Sequence, residues 1–104
     1  MALVDGRTID YAESLAAYFP AQRTGALLGA ATGGANGNPA RATLPGGMYF
    51  FFTSMRVTRH DGSTYHREGL KPDEAVEPTL AGIAARRDEV LERAISRIEK
   101  TAPR

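Results

Sequence analysis

The residues best placed for chemistry are Asp10 and Glu13, which stand three positions apart where a helix is expected to begin. A carboxylate at a helix start could act as an acid in a hydrolase. An Asp followed three residues later by Glu also has the form of a capping box, in which both side chains bind backbone N–H groups. The capping interpretation describes the commoner use of Asp at this place. Ser14 follows in the same helix, and no base for it is apparent in the sequence.

Two histidines, His60 and His66, flank a predicted turn at Asp61-Gly62. They could meet Asp61 or Glu68 across a hairpin, as metal ligands or as a base. A metal site needs three or four convergent ligands, so we expect solvated imidazoles and predict neither a metal nor a cofactor. The glycines at 33–37 fit neither Gly-Lys-Ser/Thr nor Gly-x-Gly-x-x-Gly, which makes this loop a poor phosphate cradle.

Composition limits the class of protein. The 104 residues are enough for one small domain, with 42% hydrophobic and 24% charged residues. A net charge of +1 and the lack of a basic stretch argue against a nucleic-acid partner. There is no cysteine, which excludes disulfides, thiol catalysis and Cys-based zinc sites. Neither a membrane-spanning run nor a signal peptide is apparent, so the default expectation is a cytoplasmic protein without a membrane partner.

The first third of the chain predicts a strand, a helix and a second strand. Residues 2–4 are apolar, and a helix follows with Ala12, Leu15, Ala16 and Phe19 on one face and Pro20 at its end. Gly25–Gly29 is a short apolar run typical of a buried strand. This order predicts a βαβ unit.

The remainder predicts a hairpin and a second long helix. Residues 48–59 are the most strand-like segment, and Asp61-Gly62 predicts a hairpin turn before Ser63–Arg67. The aromatic run Tyr49–Phe52 is expected to fill a core or an interface. Asp88 is a candidate N-cap for a helix with one apolar stripe, formed by Leu91, Ala94, Ile95 and Ile98. The fold class is therefore α/β or α+β, a mixed sheet with two main helices and a β-hairpin.

Five pieces of the chain occur in an order that resembles a known family: VDGRTIDYAES, GALLGAATGGANG, LPGG, DGSTYHREGLKPD and GIAARRDEVLERA. Together they look like the C-terminal part of the catalytic domain of the C-terminal processing (tail-specific) serine proteases. Tricorn-type proteases and interphotoreceptor retinoid-binding protein are similar. The resemblance implies a single domain over residues 1–104, with part of a ClpP/crotonase-like fold. It also offers a second use for the aromatic run, as the lining of a retinoid or fatty-acid pocket.

The resemblance further implies where an active site would lie. The family has Thr-x-Ser-x-x-Glu, with the serine nucleophile at a helix start, and here Thr8 to Glu13 match with Asp10 in place of the serine. Ala35 falls at the position of the general-base lysine. Tricorn-like relatives use a glutamate instead, for which Glu68 is the candidate and His66 the competing match. The loop Thr32, Gly33 and Gly34 would border the vacant site.

A carboxylate at position 10 cannot be activated as a serine hydroxyl is, so the resemblance implies a degenerate, non-catalytic domain that binds a partner or a peptide. The alternative is a fragment of a serine-type endopeptidase whose missing catalytic parts come from elsewhere. In relatives, the strand near Val4 and the next helix pack on a preceding half-domain that this chain lacks. We therefore expect a homo-oligomer, most simply a dimer, or an extended peptide added at the open sheet edge.

Overall fold

Short strands and two long helices make up the computed structural model, which describes residues 1–64 and 66–101. The elements follow in chain order as β1 Ala2–Val4, α1 Tyr11–Gln22, β2 Leu27–Gly29, β3 Pro39–Thr43, β4 Tyr49–Thr53, β5 Glu74–Ala75, α2 Leu80–Ala84 and α3 Glu89–Thr101. The predicted α/β class is confirmed. Strands of both directions are present, divided between a parallel sheet and an antiparallel hairpin.

The parallel sheet has the strand order β1-β2-β5. In its centre, Leu27 and Leu28 of β2 are 1% and 0% exposed. The continuous apolar run between glycines therefore gives a strand buried on both faces, as predicted. Strands β1 and β2 pair in parallel with α1 between them, which confirms the βαβ connection.

Helix α1 packs on this sheet through a narrow face. Ala16 joins a small core with Val4, Leu27 and Leu70, and Phe19 is partly buried against it. The wider apolar stripe predicted for the helix is wrong, because Leu15 is 58% exposed. The helix also does not end at Pro20 but runs to Gln22. A proline in the last turn deletes one hydrogen bond while leaving earlier turns intact, so the helix can continue for two residues.

The second sheet is the antiparallel pair β3 and β4, joined by the turn Leu44–Gly47. Gly46 and Gly47 have φ of 89° and 81°, the left-handed conformation that a tight hairpin turn requires. The strand predicted over 48–59 is therefore shorter than expected, and its partner is β3. At Asp61-Gly62 the chain makes only a tight turn with one isolated bridge, Thr58 to Thr64, and Tyr65 lies outside the described residues.

The aromatic side chains of β4 do not fill the core. Tyr49, Phe50, Phe51 and Phe52 are between 47% and 64% exposed. Among the described residues, the two-stranded sheet has no third strand and no helix packed across either face, so these side chains stay about half exposed. The expectation of core packing is wrong for this run, and the expectation of an interface is untested.

Helix α3 begins as predicted, because the Asp88 carboxylate accepts a hydrogen bond from the Leu91 N–H at 2.9 Å. Of its apolar stripe only Ala94 is buried, and Ile95 and Ile98 are about half exposed. The helix is fixed to the sheet by Glu74 of β5, which pairs with two arginines of α3. Within residues 1–64 and 66–101, no helix has the length and apolar character to cross a bilayer.

Candidate functional site

Asp10 stands immediately before α1 in an unusual backbone conformation, with φ 56° and ψ −126°. An N-cap residue normally has extended φ and ψ, which aim its side chain at the first N–H groups of the helix. In this conformation the Asp10 carboxylate makes no capping hydrogen bond and is exposed. The predicted capping box is therefore wrong. Strained conformations of this kind cost about 1–3 kcal/mol and cluster at functional sites.

The turn before Asp10 is fixed by short-range contacts. Thr8 donates its N–H to the Asp5 carbonyl at 2.9 Å, and the Thr8 hydroxyl accepts from the Asp5 N–H. The Arg7 guanidinium donates two hydrogen bonds to the Asp5 carboxylate, and these bonds lower the pKa of Asp5. The chain therefore enters α1 in one defined direction.

The glycine-rich loop runs alongside this entry. Asp10 donates its N–H to the Ala35 carbonyl at 2.7 Å, and Gly33 donates to the Thr8 carbonyl at 3.0 Å. The structure thus brings position 35 next to position 10, although 24 residues lie between them in the sequence. The side chain at 35 is a methyl group, which can neither accept nor donate a proton.

Glu13 has a role that the sequence did not indicate. Its side chain is 0% exposed, and its Oε1 accepts hydrogen bonds from the Thr32 hydroxyl and, at 2.7 Å, from the Gly34 N–H. Thr32 in turn accepts from the Leu70 N–H at 2.7 Å. Glu13 therefore ties the loop to the helix. The spacing of three from the buried Ala16 places both residues on one helix face, which is the signal that could have revealed it.

The glycine-rich loop also contacts the segment that precedes Leu70. Gly34 has φ +67°, and a Cβ built there would lie 2.8 Å or less from the backbone nitrogens of Glu68 and Gly69. Arg67 donates its N–H to the Gly34 carbonyl at 2.7 Å. The backbone of Glu68 is thus close to the loop, while its side chain is exposed.

The two histidines have different surroundings. His66 lines a cavity of about 560 Å³ together with Asn36 and Met55, and His60 packs edge-on against Tyr18 with ring centroids 5.8 Å apart. Across the described part of the chain, no three His, Asp or Glu side chains converge in a way that could hold a metal ion. Ser14 is partly buried, and its hydroxyl accepts a hydrogen bond from the Asn36 amide at 2.8 Å.

Comparison with known proteins places this arrangement in a protein class. The family model of peptidase family S41 matches residues 1–76. The chain belongs to peptidase family S41. A comparison with curated proteins finds no match.

Solved structures share the fold. A crystal structure of a Parabacteroides merdae protein is similar with a TM-score of 0.81 and 26% identity, over 90% of this chain and 30% of the other. The tricorn protease has a TM-score of 0.80 and 18% identity, over 93% of this chain and 10% of its own. Mature CPAF in complex with lactacystin has a TM-score of 0.78 and 17% identity, over 94% and 19%. The chain therefore spans less than a third of the length of each of these proteins.

Proposed function

We propose that this chain is a non-catalytic, peptidase-derived domain that works by binding a partner. One observation carries the proposal: the backbone of Asp10 at the start of α1 is hydrogen-bonded to that of Ala35, so the two adjacent residues there carry a carboxylate and a methyl group. The family resemblance would place a serine hydroxyl and a lysine amine at these two positions. A carboxylate does not form the usual acyl-enzyme at neutral pH, and a methyl group cannot take up a proton.

Neither Ser14 nor Glu13 replaces the missing pair. Ser14 is the nearest serine in sequence, one turn further along α1, and its hydroxyl accepts a hydrogen bond from the Asn36 amide. An amide N–H donates and cannot serve as the base that a serine nucleophile needs. Glu13 is fully buried, with Oε1 engaged by two donors, which removes it from contact with a substrate.

Labelling with a fluorophosphonate probe tests the loss of activity. The native chain is expected to remain unlabelled, because Ser14, the serine nearest the helix start, is paired with an amide and not with a base. The variants Asp10→Ser and Asp10→Ser/Ala35→Lys then ask whether the helix start supports labelling once both groups are supplied. Labelling of the native chain that disappears in Ser14→Ala would contradict the proposal, since it would identify Ser14 as a working nucleophile.

A fragment of a serine-type endopeptidase is the second candidate. It is favoured by the length comparison, since the similar solved structures are about three to nine times as long. This candidate predicts a labelled band heavier than 11.2 kDa in extracts of the source cells, recognised by an antibody raised against this chain. No such band is expected if the domain acts only by binding.

The binding role proposed here takes the form of a homo-oligomer or of an extended peptide added to a sheet edge. Strand β1 lies at an edge of the parallel sheet, and Leu3 within it is 44% exposed. Unpaired strand edges bind other strands readily. Light scattering measures the molar mass, and a strictly monomeric chain that also binds no peptide would count against this form of the proposal.

A further inference from the structure

The hairpin of β3 and β4, residues 39–53, is here termed the arm. Its two strands pair only with each other, and no other strand extends their sheet in the described residues. The radius of gyration is 17.6 Å, and the longest dimension of the molecule is 64 Å. A compact domain of about 100 residues has a radius of gyration of about 13 Å. The arm therefore projects from the body instead of folding onto it.

A projecting two-stranded hairpin is at best marginally stable in water without further packing. The arm nevertheless carries four consecutive aromatic residues, Tyr49–Phe52, between 47% and 64% exposed. At about 200 Å² for each aromatic side chain, they leave on the order of 400 Å² of aromatic surface in water, divided between the two faces of the hairpin. Exposed apolar clusters of this kind often mark a surface that another molecule covers.

The two faces of the arm differ in polarity. Strand register places Phe52 opposite Ala40 and Phe50 opposite Ala42, so one face consists of apolar side chains alone. The Phe50 and Phe52 rings lie side by side on it, 5.6 Å apart. The opposite face carries Arg41, whose guanidinium lies 5.5 Å from the centre of the Tyr49 ring.

We propose that the face of Phe50 and Phe52 is the centre of a two-fold interface with a second copy of this chain. In a two-fold contact the same patch meets itself, so a charge on the patch would face its own copy. This face carries no charge, and the net charge of the chain is only +1, so two copies do not repel each other.

The area of this face supplies part of what a dimer needs. At about 200 Å² for each side chain, the half-exposed Phe50 and Phe52 provide about a quarter of the roughly 800 Å² per partner that a stable dimer buries. Met48, which precedes β4 and is 65% exposed, adds to it. The inference rests on the proposed role of the domain as a binding module, and it assigns that role to the arm.

Sedimentation equilibrium over a range of concentrations tests the interface with three proteins. They are the native chain, the variant Phe50→Lys/Phe52→Lys, and the control Leu80→Lys, which places the same charge on an apolar side chain that is 87% exposed on α2. Circular dichroism confirms folding, and Phe50→Thr/Phe52→Thr provides a variant of high strand propensity should the lysines unfold the arm.

The native chain and Leu80→Lys are expected to have twice the chain mass of 11.2 kDa. Loss of a central aromatic weakens an interface about 30-fold, so losing two on each copy raises the dissociation constant roughly a thousandfold or more. If the arm variants remain dimeric, the proposed interface is wrong and the chain self-associates through another surface. A monomeric native chain would overturn both, and the non-catalytic assignment would still be decided by the labelling experiment.

Discussion

The buried contact of Glu13 with Thr32 and Gly34 should contribute a large part of the stability of this domain. Replacing Glu13 with Ala removes two hydrogen bonds to Oε1 and leaves the Gly34 N–H without that acceptor. Each such bond contributes about 1 kcal/mol, and a buried donor left unpaired costs a further 1–3 kcal/mol. Removing Oε2, which is buried without a partner in the described residues, offsets part of this loss. We expect the free energy of unfolding to fall by about 3 kcal/mol.

Urea unfolding measures this change in the free energy of unfolding, and three further variants test whether it comes from the contact of Glu13 with Thr32 and Gly34. Glu13→Gln keeps Oε1 and should cost about 1 kcal/mol, because an amide N–H₂ replaces the oxygen that already lacked a partner. Glu99→Ala, on the exposed surface of α3, should change stability by less than about 0.5 kcal/mol. Thr32→Val removes the hydroxyl that donates to Glu13. When it is combined with Glu13→Ala in a double-mutant cycle, we expect a coupling energy of about 1 kcal/mol or more between the two substitutions.

The reasoning is refuted if Glu13→Ala unfolds within about 0.5 kcal/mol of the native chain, or if the two substitutions add without coupling. Either result would mean that the loop is held against α1 by its backbone contacts alone, through Asp10 and Ala35. A small domain has about 5–15 kcal/mol of stability in total, so a loss of 3 kcal/mol is readily measured.

Two further predictions concern the start of α1 and the attachment of α3. In urea unfolding, Asp10→Gly should raise the free energy of unfolding by about 1 kcal/mol, because glycine adopts positive φ without strain and no capping bond is lost. An unchanged or lower free energy of unfolding would contradict the inference that the Asp10 backbone is strained. Hydrogen bonding to Arg93 lowers the pKa of Glu74 below its ordinary value of 4.5, so its contribution to stability is present above that pH and is lost as the pH falls through the lowered pKa. Glu74→Gln should therefore lower the Tm at pH 7 and have little effect under strongly acidic conditions, whereas exposed Glu77→Gln should have little effect at either; a pH-independent effect of Glu74→Gln would contradict the pairing.

The sequence predicted the elements that depend on local patterns. The apolar run between Gly25 and Gly29 is strand β2, and Asp88 is the N-cap of α3. It failed where distant residues decide the outcome. The strand partner of Tyr49–Thr53 is β3, which carries Pro39 and small residues and gives little strand signal of its own.

The candidate site shows the same division between local and distant information. Asp10 and Ala35 came from alignment with a family pattern, and only the fold shows that their backbones are joined. Glu13 was expected to face its own helix start. Its true partners, Thr32 and Gly34, are 19 and 21 residues away. The spacing from Ala16 can show that Glu13 faces the core, but it does not identify partners at that distance.

The backbone structure around the start of α1 is independent of the chemistry that the side chain at position 10 could perform. Asp10 is held by backbone bonds, from its N–H to Ala35 and from the N–H groups of Glu13 and Ser14 to its carbonyl. None of these bonds depends on the side chain at position 10. Because the side chain is exposed and makes no capping bond, the fold tolerates a carboxylate as readily as a hydroxyl there. The loop, the helix start and the buried Glu13 contact of this chain therefore do not require a nucleophile at position 10.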